Sequence, residues 1–291
     1  MAAVALAGRR DRSGLVIGPI DDRGALRSFL ERDRLFAAYA ICDLEDREWT
    51  RSNWGAAWDG DELIAVALEY AGLSPQPLFV LGRPDGIEAV LRDVIHPRAA
   101  YVAARPEHLR AVTAQYRIDP GVPMIRMWVD RAHFRPFPSD VRRLLAVEIG
   151  DLNRLYGLGF AAWLPSSAIG EGVYYGMKVG GQLVAAAGTH VISPSARLGV
   201  VGNVLTHTAY RGRGYATATT GAVTAELLRT CDQVVLNVRS DNPPAINAYR
   251  RLGYQEYCRF EERLVHRTGS AWPVLPGVLR RLFPRKETDR T

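Results

Sequence analysis

Six consecutive residues, Arg211-Gly212-Arg213-Gly214-Tyr215-Ala216, have the make-up of a loop that holds an anion. The two glycines admit positive φ and let the main chain approach a ligand closely. Successive N–H groups can then converge on one concavity, a nest for phosphate oxygens. The stretch before the loop, Gly199–Thr206, is largely apolar and reads as a strand. The stretch after it, about 214–229, reads as a helix, with Ala216, Thr220, Val223 and Leu227 recurring on one apolar face. The positive end of that helix reinforces the nest. Arg211 and Arg213 can add charge-assisted contacts. A Walker loop is excluded, because no Gly-Lys-Ser/Thr follows. A dinucleotide loop wants a third glycine where Thr217 stands. Nor does an acid end the next strand at Asn237-Val238, although Asp241 lies just beyond.

A second motif runs from Asn242 to Tyr254 and reads NPPAINAYRRLGY. Pro244 suits a first helical turn and Gly253 a helix C-terminus. Ala245 and Tyr249, four residues apart, share one helical face. Tyr249 alone would suit an aromatic packed beneath a sheet as well as a proton donor.

Around these motifs the chain alternates strand and helix signals. In the second half, strands are expected at about 141–147, 173–179, 182–192, 197–207, 233–238 and 257–265. Helices are expected within 151–169, at 214–229 and at 244–252. In the first half, helices are expected at 22–40, 84–95 and 106–116, and strands at 54–58, 63–71, 77–82, 100–104 and 124–129. Hairpins mixed with crossovers imply an α/β class with a mixed, mostly antiparallel sheet flanked by helices. The halves also echo each other. GDELIAVA at 60–67 returns as GGQLVAAA at 180–187, and LFVLG at 78–82 as LGVVG at 198–202. A Ser-Pro turn separates the strands in each copy, at Ser74-Pro75 and Ser193-Pro194. The proline-rich stretch at 134–140 reads as the linker. The expected division is a disordered start at 1–14, a first domain at 15–133, a second at 141–267 and a tail at 268–291.

Composition narrows the classes. The chain has 291 residues and a net charge of +6, with both signs scattered, so nucleic acid is not an expected partner. Three distant cysteines and no Cys/His ligand spacing give neither a disulfide framework nor a metal site, and suit a reducing compartment. The N-terminal apolar run precedes its charges, the reverse of a secretory signal. No stretch reaches the roughly 18 apolar residues of a membrane span. The expectation is a cytoplasmic monomer or homodimer with no membrane partner.

The two motifs, in this order and separation, resemble those of the GCN5-related N-acetyltransferase (GNAT) superfamily over about residues 140–266. The resemblance implies acetyl-CoA, or another acyl-CoA, as acyl donor and an amine of a small molecule, amino acid or peptide as acceptor. It implies a pyrophosphate on the backbone from Arg211 through Gly212, Arg213, Gly214 and Tyr215 to Ala216. Pantetheine would add to the strand edge at Val204, Leu205 and Thr206, with Asn242 and Ala245 beside the cofactor arm. Tyr249 would be the general acid for the departing thiolate. The base stays open among His207, Glu171 and His190. The other reading is a regulatory module that binds acyl-CoA without catalysis. In the first half, the place of the cradle holds Arg83-Pro84-Asp85-Gly86-Ile87-Glu88, whose proline and acids disfavour phosphate. That half is expected to be a degenerate copy that has lost its CoA site and helps shape the acceptor pocket.

Overall fold

A computed structural model describes residues 9–11, 13–138, 140–158 and 164–268. Apart from Thr268, the expected tail lies outside these residues, as does most of the expected disordered start; within that start Arg9 and Arg10 form a strand paired with Ile17 and Val16, which corrects the expectation there.

The first half runs β1 (Arg9–Arg10), β2 (Val16–Pro19), α1 (Arg23–Leu30), α2 (Ala38–Cys42), α3 (Asp46–Trp49), β3 (Ser52–Asp59), β4 (Glu62–Tyr70), β5 (Gln76–Gly82), α4 (Pro84–Asp93), β6 (Ala99–Ala104), α5 (Pro106–Thr113), β7 (Tyr116–Ile118) and β8 (Val122–Asp130). The second runs β9 (Arg142–Arg143), α6 (Ile149–Tyr156), α7 (Ser166–Glu171), β10 (Tyr174–Val179), β11 (Gln182–Ser193), β12 (Leu198–Thr206), α8 (Tyr215–Leu227), β13 (Gln233–Arg239), α9 (Pro243–Arg251) and β14 (Gln255–Arg267).

Among the described residues all the strands join one sheet. Its order is β1-β2-β3-β4-β5-β6-β14-β8-β13-β12-β11-β10-β9, with β7 also paired to β14. The echo seen in the sequence is an echo in topology. Strands β3–β4–β5 form an antiparallel meander followed by parallel β6, and β10–β11–β12 do the same before parallel β13. The halves then exchange their last strands. β8 of the first half lies between β13 and β14, and β14 of the second lies between β6 and β8. A mixed, mostly antiparallel sheet was expected in each half; here the two run together as one.

The core is shared in the same way. Leu26, Phe36 and Ile41 of the first half pack in one cluster with Leu198, Val200, Val235 and Phe260 of the second. On the opposite face of β12 and β13, α8 and α9 bury Val223, Leu227, Ile246 and Tyr249 against Val201 and Val238.

Three local expectations need correction. The helix expected over 22–40 is broken into α1, a 3-10 turn at Glu31–Asp33 and α2. Between them the carbonyl of Leu35 accepts from buried Arg126 Nη1 at 3.0 Å. The strand expected over 141–147 is only Arg142–Arg143; Glu148 then accepts the Leu145 N–H and pairs with Arg142 and Lys178, coiling the chain into a 3-10 turn. And α8 is buried all round from Thr217 to Gly221 rather than on one stripe. Its threonines allow this by returning hydroxyls to the helix, as Thr219 does to Tyr215 and Thr224 to Thr220.

Candidate active site

The site is built on an opening in the sheet. β12 pairs with β13 only from Leu198 to Val201, against Gln233 to Leu236. Beyond that point β13 stays with β8, and β12 stays with β11. A wedge therefore separates residues 202–206 from 237–239. Its cause is a bulge: Asn203 takes φ +52°, and the β11–β12 register slips between Gly202 and Leu205. The buried strand Leu198–Val201 becomes half-exposed from Gly202 to His207. The wedge also holds unmet polar atoms. Thr206 Oγ1 on one side and Asn237 Oδ1 on the other are buried without a hydrogen-bond partner.

Main-chain direction follows from alternation. The His207 N–H donates to Val184 O on the β11 side at 2.8 Å. The N–H and C=O groups of Thr206 and Val204 therefore face the wedge, and those of Leu205 face β11. Leu205 offers the wedge no main-chain group.

The loop closes the wedge at its far end. Gly212 and Gly214 have φ of 77° and 78°. Gly214 is the N-terminal cap of α8 and offers no side chain. The N–H groups from Gly212 to Ala216 make no hydrogen bond with other described residues. They form an open nest at a helix N-terminus. Arg211 and Arg213 are exposed beside it. Arg211 Nε reaches back to Thr206 O at 3.4 Å, and Arg213 lies 5.3 Å over the Tyr210 ring. Tyr215 and Ala216 open the helix, half-exposed. Phe137, which the sequence reading passed over, stands 3.7 Å from where a Gly214 Cβ would be. Its linker position hid it.

α9 is capped by Asn242, whose Oδ1 accepts from the Ala245 N–H at 3.3 Å. That leaves the amide Nδ2 for a ligand. Ala245 packs, half-buried, on the cluster that contains Tyr249. Tyr249 is buried in that cluster, its ring centre 6.1 Å from that of Tyr254. Tyr254 is anchored through a 2.7 Å hydroxyl contact with Thr224. Burial pushes the Tyr249 phenol up to about 12, so it is protonated at neutral pH.

The three base candidates part company. His207 caps a 3-10 turn, with Nδ1 accepting from the Ala209 N–H at 3.2 Å. Its ring lies beside Tyr210, in a hollow with Asp151 and Gln182. Glu171 is spent in an exposed ion pair with Arg47. An exposed pair contributes at most about 1 kcal/mol, so Glu171→Gln should leave turnover within about twofold; a thiol-release assay on acetyl-CoA checks this. His190 alone lies over the wedge: a Cβ on Gly202 would fall 2.5 Å from its Cδ2.

In the first half the position of the nest is closed. α4 starts at Pro84. Arg83 forks onto Asp85 at 2.8 and 2.7 Å and reaches Asp59 at 2.8 Å. That cluster occupies the turn between β5 and α4, the topological counterpart of the turn between β12 and α8. No metal-binding group of His, Cys, Asp or Glu occurs among the described residues, and no helix there is long and apolar enough to cross a membrane.

The second half thus carries, in consecutive elements, a wedge beside a parallel strand pair, an open nest at the start of the next helix and a capped helix with a buried phenol. Residues 147–254 match the acetyltransferase (GNAT) family model. No curated protein matches the chain. Solved structures match it across both halves and share its fold. A Drosophila protein is 13% identical, with 87% of this chain and 99% of that one covered and a TM-score of 0.65. A GCN5-related N-acetyltransferase from Sphaerobacter thermophilus is 16% identical over 88% and 97%, with a TM-score of 0.60. A tandem GNAT protein from the clavulanic acid biosynthesis pathway is 11% identical over 88% and 99%, with a TM-score of 0.54.

Proposed function

We propose that this protein is an N-acyltransferase that moves an acetyl group from acetyl-CoA to the amine of a small molecule, amino acid or peptide. The observation that carries this reading is the wedge between β12 and β13 with the open nest at its end. The residues present suit the donor. The N–H groups from Gly212 to Ala216, with Arg211 and Arg213, would hold the pyrophosphate. The outward main-chain groups of Val204 and Thr206 would take the pantetheine amides as an added strand. Asn242 Nδ2 and Ala245 would flank the same arm. Bound acetyl-CoA supplies the acyl group as a thioester. Tyr249 donates the proton that the sulfur needs on leaving. The first half, with its nest closed, covers the other face of the sheet and completes the acceptor side. The work suits a soluble cytoplasmic enzyme without metal.

Calorimetry with acetyl-CoA tests the reading. One site per chain is expected. Gly214→Val forces a β-branched residue to φ 78°, at a cost of about 1–2 kcal/mol, and puts a side chain against Phe137. Affinity should fall by about tenfold or more, since about 1.4 kcal/mol is a factor of ten. Two sites, or an unchanged affinity in the variant, contradicts the nest.

A further inference from the structure

The face of the sheet opposite α8 carries a polar chain whose direction can be read. Tyr174 OH donates to the Thr189 carbonyl at 3.1 Å, because a carbonyl can only accept. Tyr174 oxygen therefore accepts from Asn203 Nδ2 at 3.0 Å. That turns Asn203 Oδ1 toward His190, 3.2 Å from Nε2. Nε2 must then carry the proton, and Nδ1 is the bare nitrogen. Tyr39 OH lies 2.9 Å from Nδ1 and so gives its proton to the ring. The lone pairs of the Tyr39 oxygen remain for another donor.

The placement is set by several elements. His190 is the unpaired residue of a bulge in β11, between Thr189 and Val191. Its ring covers Gly202, the first residue of the wedge. Tyr174 covers Gly188, the cross-strand partner of Gly202, where a Cβ would fall 2.1 Å from the Tyr174 ring. Tyr156 OH fixes the other side of Asn203 by donating to its carbonyl at 2.6 Å. Tyr39 is half-exposed, whereas the rest of α2 is buried. His190 is exposed at the bulge, and loss of hydration around its ring lowers its pKa against the opposing contact with Asn203. The charged and titratable groups that face the pair are Arg126 of β8, 5.2 Å over the Tyr39 ring, Glu262 of β14, Cys42 of α2 and Asp43 just after it; Tyr174 and Tyr156 stand beyond Asn203.

Resting on the transferase reading above, we propose that Tyr39 and His190 form a proton relay built across the two halves, which deprotonates the acceptor ammonium at the mouth of the wedge. Tyr39 oxygen takes one proton from the R–NH3+ group as its own proton passes to His190 Nδ1, leaving an imidazolium. The freed amine lone pair forms the N–C bond, and the C–S bond breaks. Tyr249 protonates the sulfur, the second amine proton returns to the Tyr249 phenolate, and the His190 imidazolium releases its proton to solvent through Tyr39. Tyr39 is the group that touches substrate, and His190 acts through it. The first half thus supplies part of the chemistry as well as a wall.

Two measurements test the relay in the full chain. In the first, histidine is labelled with 15N and the His190 signal is assigned with His190→Gln. The neutral ring should carry its proton on Nε2, titrate below the ordinary imidazole value of about 6.5, and shift in Tyr39→Phe. A proton on Nδ1, or no response to Tyr39→Phe, overturns the proposal. In the second, thiol release from acetyl-CoA is followed from pH 5 to 9 with glycinamide, n-butylamine or water as acceptor. The wild-type rate should rise with pH as His190 loses its proton. Tyr39→Phe and His190→Gln should each cost about 100-fold or more and remove that inflection, with acetyl-CoA affinity within about twofold. A rate within about threefold of wild type, or a surviving inflection, overturns the relay. So does a wild-type chain that binds acetyl-CoA but releases no thiol with any of these acceptors. A chain that does not bind acetyl-CoA overturns the transferase reading itself.

Discussion

A fragment that begins at residue 134 should yield neither a folded domain nor acyl transfer. The exchanged strand is the reason. β8 supplies the antiparallel neighbour of β13 from Gln233 to Arg239 and of β14 from Gln255 to Glu262. Cutting it away leaves β13 as a bare edge held only by β12 and leaves β14 without a partner, and such edges recruit other chains. β14 also loses β6 along Glu261–His266. The shared core goes at the same time, because Leu198, Val200, Val235 and Phe260 lose the cover of Leu26, Phe36 and Ile41. Burying a side chain of this kind contributes about 1.5–3 kcal/mol. Losing several exceeds the roughly 5–15 kcal/mol that holds a domain folded. Circular dichroism, gel filtration and thiol release on the 134–291 fragment give the readout. A soluble, fully active fragment would show that the exchanged strand and shared core are dispensable.

What could be read in the sequence divides along physical lines. The nest was legible because its determinants are local: two glycines, an arginine on either side of the first, and a helix signal directly after. The second motif was legible for the same reason, since Pro244 in the first turn and Gly253 just past the end punctuate one short helix. The β3–β4–β5 and β10–β11–β12 meanders were legible through period-two patterning and turn residues. The exchange of β8 and β14 was not. Each strand carries a similar apolar pattern, and nothing in Val122–Asp130 says whether its neighbour will be β6 or β13. The break near Leu35 was hidden because a buried arginine 91 residues away takes the carbonyl that would have continued the helix. The bulges at His190 and Asn203 were hidden too. A bulge is a mismatch between two strands and has no signature in either one. His190 could be named as one base candidate among three, but its partner Tyr39 could not, because the contact spans 151 residues.

Tyr249→Phe should separate binding from catalysis more sharply than any other single change. The ring is buried among Val238, Ile246 and Tyr254, so removing one oxygen leaves the packing intact. No hydrogen bond of the nest or the wedge involves the phenol among the described residues, so acetyl-CoA affinity should stay within about twofold, a change of under 0.5 kcal/mol. In the proposed reaction, however, the leaving thiolate loses its proton donor. General acid catalysis contributes about 100- to 10,000-fold, so thiol release should fall by at least 100-fold. The pH dependence gives a second check. With the phenol pushed up to about 12, its acid form persists across the neutral range, and no loss of rate between pH 7 and 9 should trace to Tyr249. Rate against pH should therefore keep the same shape in the variant at a lower level. Calorimetry and thiol detection on the same samples give both halves of the result. Equal turnover in Tyr249→Phe would remove the general acid and leave the chain as a protein that binds acyl-CoA without needing this phenol for chemistry.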